Sequence, residues 1–455
     1  MYRYKLNPIY EIIPLEINIV TEPLNEKGFA DILSISLENL NKLNHAKNRI
    51  NKINSFIWED IKKITNPYEF IHSFTSKNKN YNNININNNN NNNKNEKEKD
   101  KEKDNKSIAN IKPLSRSFFK MIEIIYEFIP HIMNGGIANK FISVHIAEGP
   151  GGFIEAIRYI RKGNKNDIAY GMTLVKYNKD DYKNIHVPGW QKSNQFLINN
   201  PEVRIINGAD GTGNIYNIEN IKYIKNEIKS INNFSINNKD YNSCKGCEGT
   251  GCIEGTGCIE GIGAEIVTAD GGFDFSVEYN YQEQTSCKLI FSQILGAINC
   301  QKKTGTFICK FFDFNLYFTV EMLYLLYTLY ETVNIYKPFT SRIANSEKYI
   351  ICTNFKGINE ILLNKLFDIL DKWNNKYHRE TINHIFEKIP FEFIEKIKEI
   401  NTEIINLQII SINYAINIIK NNKHVLDKKW YDLTIKIQIQ KAVEWCKKYN
   451  IPCSF

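Results

Sequence analysis

Lys120, Asp270, Lys310 and Glu347 are the side chains of this sequence whose types and placement could do chemistry together. Lys310 lies near the end of an apolar run at 305–309. Asp270 closes the run 265–269, Glu347 immediately precedes the run 348–353, and Lys120 sits in a helix-like segment ahead of the run 141–147. The carboxyl ends of strands are where an open α/β sheet binds ligands, so amines and carboxylates gathered there would face a bound molecule. Taken singly, each has a plainer account: Lys310 as an edge residue, Asp270 as a turn or N-cap residue, Glu347 as a surface charge. A functional reading rests on their occurring together.

A second feature must be placed beside them. The turn Glu148-Gly149-Pro150-Gly151-Gly152-Phe153 follows the apolar run 141–147 and opens an amphipathic run at 153–162. Strand, glycine turn and helix in that order let a backbone approach a nucleotide-like ligand, because glycine removes the Cβ atoms that would block it. No Gly-Lys-Ser/Thr follows, so the turn is not a Walker loop, and it lacks the GxGxxG spacing of a nicotinamide site. No Ser-His-Asp arrangement is visible, and the 8 histidines show no metal-ligand spacing.

The elements that must position these residues alternate along the chain. Strand-like runs fall at 141–147, 168–174, 203–206, 265–269, 305–311, 332–336 and 348–353, and helix-like runs at 153–162, 218–231, 282–300 and 319–330. Such alternation predicts a doubly wound α/β fold around a mostly parallel, seven-stranded sheet. Residues 108–357 are expected to form this domain. Residues 1–75 and 358–455 read as mainly helical extensions, with basic residues Lys42, Lys47, Arg49 and Lys52 interleaved among the apolar positions of the first. The Asn-rich, then Lys/Glu-rich tract 76–107 has no apolar content to bury and is expected to be a disordered insertion. A second insertion, about 234–263, holds Cys244, Cys247, Cys252 and Cys258 in near-identical units and reads as replicated low-complexity sequence, with no metal site expected.

The 455 residues carry a formal charge of +8, which fits a polyanionic partner without requiring one. No apolar run reaches the roughly 18 uncharged residues of a membrane span, and Met1-Tyr2-Arg3-Tyr4-Lys5-Leu6 has no secretory h-region. Scattered cysteines, several in apolar segments such as Cys309 and Cys352, point to a reducing, intracellular setting, nuclear or cytoplasmic.

Seven ordered segments together resemble the FtsJ-like RNA ribose 2′-O-methyltransferase family, and within it the branch acting on capped mRNA. They are Asn66-Pro67-Tyr68-Glu69 with Ser115-Arg116-Ser117-Phe118-Phe119-Lys120; Ala147 to Phe153; Tyr170-Gly171-Met172-Thr173-Leu174; Asp210-Gly211-Thr212-Gly213-Asn214-Ile215; Ala269-Asp270-Gly271-Gly272-Phe273; the Lys310 segment; and Thr340 to Tyr349. The similarity runs from about residue 60 to 357, less the insertions. Asn214 stands where the family often has Asp.

The resemblance implies a Rossmann-like fold and S-adenosyl-L-methionine as methyl donor. It implies cofactor contacts from Glu148, Gly149, Pro150, Gly151, Gly152, Phe153, Thr173, Asp210, Asn214 and Ile215, and a tetrad of Lys120, Asp270, Lys310 and Glu347. RNA contacts would come from Asn280, Gln282, Ser341, Arg342 and Asn345, with Arg342 suited to a phosphate. A ribose hydroxyl must lose its proton as the methyl arrives. A lysine can take it only when neutral, so Lys310, as general base or as the group that stabilises the alkoxide, is expected to be pushed down by burial and by a second ammonium, with Asp270 and Glu347 opposing that shift while orienting the amines. The implied partner is RNA, 5′-capped mRNA first, with a capping or transcription factor as a conceivable companion and no membrane. A ribosomal- or transfer-RNA 2′-O-methyltransferase of the same fold and a catalytically silent RNA-binding subunit are the alternatives. A nicotinamide oxidoreductase is disfavoured by the absent fingerprint.

Overall fold

The computed structural model describes residues 1–75 apart from 10–11, 27–28, 32 and 73, and then 105–134, 140–175, 189–236, 263–273, 279–375 and 380–453. The Asn-rich tract falls outside these residues except at 105–107, as does most of the second insertion with its four cysteines.

The chain opens with β1 (Tyr2–Lys5), β2 (Ile17–Pro23), α1 (Leu37–Ile50) and α2 (Ser55–Ile64). Then come β3 (Phe74–Thr75), β4 (Asn105–Lys106), α3 (Ser117–Phe128) and α4 (His131–Asn134). The alternating region follows: β5 (Ile142–Ile146), α5 (Gly152–Ile160), β6 (Ile168–Met172), α6 (Asn194–Asn199), β7 (Val203–Ile205), α7 (Ile218–Ile236), β8 (Ala264–Ala269), α8 (Gln282–Cys300), β9 (Gln301–Phe311) and α9 (Tyr317–Leu329). It ends with β10 (Tyr330–Lys337) and β11 (Lys348–Phe355). Last are α10 (Glu360–Asn375), β12 (Glu380–Phe386), α11 (Phe391–Lys420), α12 (Lys423–Leu426) and α13 (Lys428–Lys448).

The main sheet has eight strands in the order β1-β10-β11-β9-β8-β5-β6-β7. β7, β6, β5, β8 and β9 pair in parallel, whereas β11 is antiparallel to both β9 and β10, and β1 is antiparallel to β10. The expectation of seven mostly parallel strands is thus corrected to eight in a mixed sheet. All seven expected strands are present, and the eighth is β1. Tyr2-Arg3-Tyr4-Lys5 is only one short alternation of half-buried and exposed residues. It becomes a strand because β10 offers it an edge, Tyr2 lying opposite Lys337. The segments flanking the sheet domain also carry strands that their helical pattern hides, since β2 pairs with β12 in a small antiparallel ribbon.

Alternation along the strands splits the core into two layers. Ile266, Ile308 and Ile351 face α3, α5 and α13 with Phe119, Phe153 and Trp445. Val267, Phe307, Cys309 and Ile350 face α7, α8, α9 and α10. β5 is buried at all five positions, as a central parallel strand must be. A third cluster joins α1, α2 and α11 through Ala46, Trp58, Ile61 and Ile412. Gln438 of α13 donates its amide to the carbonyls of Lys63, Ile64 and Asn66 at 2.8, 3.1 and 2.6 Å, satisfying orphan acceptors at the end of α2.

The topology fixes where a ligand can sit. The chain leaves β5 towards β6 on one side and later returns to β8 on the other, so the sheet switches direction at β5/β8. Glu148 follows β5 and Asp270 follows β8. Because β11 is antiparallel to β9, its beginning meets the end of β9, with Lys348 opposite Phe311 and Tyr349 opposite Lys310. That register carries Glu347 to the same edge.

Candidate active site

The glycine turn leaves β5 through Ala147 and enters α5 through Gly151, whose φ of 100° lies in the left-handed region that glycine adopts without strain. Gly152 has a different task. A Cβ there would come within 2.2 and 2.3 Å of the Ser115 and Ser117 hydroxyl oxygens, so its bareness lets α5 close on the start of α3. Glu148 is buried beside the turn. Its Oε1 accepts from the Thr268 hydroxyl. His145 Nδ1 contacts Thr268 Oγ1 at 2.7 Å and approaches Glu148 Oε2 at 3.3 Å, while Nε2 meets Ser143 Oγ at 2.9 Å. With the threonine proton directed at Glu148, this pattern puts the imidazole proton on Nδ1. Burial raises the Glu148 carboxyl against the pull of His145 and Thr268.

The next two cofactor segments lie alongside. Thr173 is buried after β6, and the 207–214 loop packs on it closely enough that a Cβ on Gly213 would come 1.9 Å from the Thr173 carbonyl oxygen. Asp210 is exposed and closes its own loop. Oδ1 accepts from the Thr212 amide, the Thr212 hydroxyl and Asn220 at 2.8, 2.7 and 2.9 Å, and Oδ2 accepts from Asn217 at 2.7 Å. Slight burial works against it, but these donors lower the carboxyl to about 2. Asn214 Oδ1 caps the Tyr216 amide at 3.0 Å. Phe153 and Ile215 are turned into the core, Phe153 with its ring 5.7 Å from that of Tyr349.

The four chemistry-bearing residues do come together, as two pairs. Lys120 Nζ donates to Glu347 Oε1 at 2.6 Å. Lys310 Nζ donates to the Asp270 carbonyl at 2.6 Å and lies 3.2 Å from Asp270 Oδ1. Tyr349 joins the pairs, donating its hydroxyl to Asp270 Oδ1 at 2.9 Å while the Lys120 ammonium lies 5.9 Å from its ring centroid. A Cβ on Gly272 would come within 3.1 Å of Lys310 Nζ, so a side chain there would crowd the ammonium. Burial alone would raise Glu347, but Lys120 and Lys310 outweigh it and hold it at about 2. Burial alone would lower Lys310, but Asp270 and Glu347 outweigh it and its pKa is raised. The expectation of a neutral Lys310 is therefore corrected: two carboxylates face it, and it rests as an ammonium.

The residues expected to meet RNA are placed less uniformly. Asn280 donates to Asn48 Oδ1 at 2.7 Å, and Gln282 opens α8. Ser341 turns inward and donates to Glu347 Oε1 at 2.9 Å. Asn345 accepts from buried Lys337, whose Nζ reaches the Asn345 carbonyl, Asn345 Oδ1 and the Glu347 carbonyl at 2.8, 2.7 and 2.6 Å. Arg342 forks Glu69, Nε to Oε2 at 3.1 Å and Nη2 to Oε1 at 2.6 Å. Arg116 approaches the same carboxylate at 3.3 Å, and Asn66 donates to it at 2.7 Å. Glu69, only 1% exposed, thus gathers two guanidiniums beside the site. Burial opposes its ionisation, but His72 and the two arginines hold it well below the usual carboxylate range.

Sequence reading missed Tyr349, Lys337 and Glu123. Glu123 is fully buried and accepts from the amides of Phe339 and Thr340 at 2.6 and 2.9 Å, fixing the start of the 338–347 loop. A lone carboxylate inside the apolar run of α3, one turn beyond Lys120, was the available signal. For Lys337 there was none, since only the fold seals it.

An open sheet that switches direction at β5/β8, a glycine turn at that switch and a lysine–carboxylate cluster at the adjoining strand ends define a Rossmann-like methyltransferase. Residues 113–355 match the model of the FtsJ-like methyltransferases. That is more than half of the chain, which belongs to this family. Membership makes the domain a methyltransferase and implies S-adenosylmethionine as its methyl donor. The chain is 30% identical over 250 residues to Cap-specific mRNA (nucleoside-2′-O-)-methyltransferase 1 of Danio rerio, covering 55% of this chain and 26% of that protein. The human protein of that name is 30% identical over 251 residues, covering 55% and 25%. Cap-specific mRNA (nucleoside-2′-O-)-methyltransferase 1A of Caenorhabditis briggsae is 29% identical over 269 residues, covering 58% and 26%. The match thus spans about a quarter of the length of these relatives. Among solved structures, one described as a ribosomal RNA methyltransferase from Plasmodium falciparum aligns with 54% of this chain and 99% of its own at 17% identity and TM-score 0.33, too loose a likeness to carry an argument.

The residues at the turn suit that donor. Glu148 Oε2 is buried with His145 Nδ1 3.3 Å away and makes no shorter hydrogen bond, an acceptor fit for an ammonium or hydroxyl group. Among the described residues, no helix is long and apolar enough to cross a membrane, and no cluster of three metal-ligating side chains occurs.

Proposed function

We propose that this chain methylates a ribose 2′-OH of RNA, and that its substrate is the first transcribed nucleotide of capped mRNA. The observation that carries the reading is the pairing of Lys120 with Glu347 and of Lys310 with Asp270 at one strand edge, beside the glycine turn. The names of the relatives support the cap assignment.

When bound, S-adenosylmethionine supplies a methyl group on a positively charged sulfur, which is already an activated leaving group. Glu148, the backbone of Gly149 to Gly152, Thr173 and the Asp210–Asn214 loop would hold it, with Phe153 and Ile215 filling the space behind. The protein's own share is alignment and charge. Lys310 lies beside the place where the 2′-oxygen would sit and enters as an ammonium, so it stabilises negative charge developing there. A further positive charge nearby favours its neutral form, which is the form able to accept the hydroxyl proton. Asp270 aims Lys310, Tyr349 aims Asp270, and Lys120 with Glu347 flanks the pair. Glu69, holding Arg116 and Arg342, leaves that corner net positive for a phosphate of the RNA backbone.

The test is methyl transfer from labelled S-adenosylmethionine to matched short RNAs, one with an N7-methylguanosine cap and one with a bare 5′ end. Label on the first 2′-oxygen of the capped RNA alone is the expected result. Equal labelling, or labelling of structured RNA only, would assign the chain to ribosomal- or transfer-RNA substrates. Cofactor binding with no transfer to any RNA would indicate a silent RNA-binding subunit.

A further inference from the structure

Immediately behind Glu347 lies a second polar cluster, in which Lys47 and Gln408, from outside residues 113–355, meet Asp313, Ser346 and Lys348 from within them. Lys47 of α1 donates to Asp313 Oδ2 at 2.8 Å. The Ser346 hydroxyl donates to that same oxygen at 3.0 Å. Gln408 of α11 donates to Ser346 Oγ and to the Ala344 carbonyl, both at 3.2 Å. Lys348 Nζ donates to the Phe312 carbonyl and lies 3.7 Å from Asp313 Oδ1. Lys47, Asp313, Ser346 and Gln408 are 5, 4, 3 and 3% exposed. Ser346 is the residue before Glu347 in the chain.

We propose that Lys47 and Gln408 are positioning residues which, through Asp313 and Ser346, set the backbone that carries Glu347, so that the terminal segments complete the working site. The inference rests on the reading of Glu347 as a member of the reactive cluster. Asp313 stands between two lysines and holds Ser346 with the oxygen that Lys47 engages. Without Lys47, the carboxylate is left to Lys348 and is drawn towards it, away from Ser346. Gln408 holds the other side of the same hydroxyl. The 341–347 loop is therefore gripped at Arg342 by Glu69, at Ala344 and Ser346 by Gln408, and at Ser346 by Asp313 with Lys47 behind it. Three of these anchors, Glu69, Lys47 and Gln408, lie outside residues 113–355. An error of about 1 Å in a reacting group can cost on the order of 100-fold in rate, so slack in this loop reaches the chemistry without touching the cofactor.

The experiment uses the full chain with Lys47→Met, Lys47→Arg, Ser346→Ala, Gln408→Leu and the Lys47→Met/Ser346→Ala double variant. It measures methyl-transfer kcat, S-adenosylmethionine Kd by calorimetry, melting temperature and amide exchange across 341–347. Lys47→Met and Ser346→Ala should each lower kcat about tenfold or more with Kd within about twofold, and the double variant should lose no more than the worse single one. Exchange at 341–347 should accelerate, and Lys47→Arg should recover most of the rate. If Lys47→Met does not fold, Ser346→Ala and Gln408→Leu, which strand no buried charge, carry the same expectation. Unchanged kcat and exchange would overturn the proposal, as would kcat, cofactor affinity and melting temperature falling together. If the wild-type chain methylates no RNA, the reading of Glu347 fails, and the exchange pattern alone decides whether the terminal segments hold the loop.

Discussion

Two lysine–carboxylate clusters stand back to back in this molecule, and burial acts on both in the same direction with opposite results. At the strand edge, Lys310 faces Asp270 and Glu347, and its pKa is raised. Behind Glu347, Lys348 is sealed completely where the Lys310 side chain is 12% exposed, shares Asp313 with Lys47, and is lowered to about 8. Desolvation costs an ammonium in either place, but Asp270 and Glu347 overcome it at Lys310, whereas at the more deeply sealed Lys348 Asp313 and Glu283, opposed by Lys47, do not. Glu283, which Asp313 also faces, shows the same scarcity of positive charge from the acid side: burial first and Asp313 second raise it to about 7. The direction in which a buried lysine shifts is set by its depth together with the charges that face it.

The most severe way to break this comparison is at the open cluster. Lys310→Ala should reduce methyl transfer by about 100- to 10,000-fold, the range for a lost proton-transfer group, while cofactor affinity by calorimetry stays near that of the wild type. Turnover that survives the substitution would remove Lys310 from the chemistry. Asp313→Asn attacks the sealed cluster. It leaves two buried ammonium groups without a counter-charge and should destabilise the fold by about 3–5 kcal/mol, read as a lowered urea midpoint at neutral pH.

A pH titration sharpens the contrast. Glu347 is depressed to about 2 from an ordinary value of 4.5, so it contributes stability that is present above pH 4.5 and lost as pH falls towards 2. Glu347→Gln should flatten the acid limb of the unfolding curve over that window. Lys348 has the opposite sign for a base. Its folded value of about 8 lies below the ordinary 10.5, so the unfolded chain binds more protons between those values, and its contribution rises with pH across that interval. Lys310, with its raised value, gives stability that is lost only as pH climbs past its folded pKa. Lys348→Met should therefore remove an upward slope between pH 8 and 10.5 that a substitution at Lys310 leaves in place. A slope unchanged in Lys348→Met would show that Asp313 serves both lysines after all. The smallest expected effect is Asn280→Ala, which removes one exposed hydrogen bond to Asn48 and should cost about 0.5–1.5 kcal/mol or less in thermal unfolding.

What was legible in the sequence follows the range of the interactions involved. The seven expected strands, the glycine turn and the places of Lys120, Asp270, Lys310 and Glu347 along the chain were readable because each is a local pattern of apolar runs, glycines and strand ends, whereas their grouping as a tetrad came from the resemblance. β1 was not, because four residues of alternating Tyr and basic side chains carry no signal until β10 stands next to them. The opposing influences on Lys310 were legible, but not that Asp270 and Glu347 outweigh burial, because the sign depends on which of Lys120, Asp270 and Glu347 lies nearest. Arg342 read as a phosphate ligand because its partner Glu69 lies 273 residues away in the chain. The same distance hides Asp313 and Lys47, 266 residues apart. Spacing can nominate a charged residue, but only the fold says what neutralises it.

The two-residue ribbon of β3 and β4 has a consequence for how this gene can change. Phe74 lies opposite Lys106 and Thr75 opposite Asn105, so the chain re-enters the domain beside the point where it left. Glu69 and Arg116 meet across that seam, whatever length of chain separates them. Loop closure costs only about 0.6 kcal/mol for each doubling of loop length. A change of length between β3 and β4 would therefore weigh little at the site, whereas a single residue gained between Glu69 and β3, or between β4 and Arg116, would act on it directly.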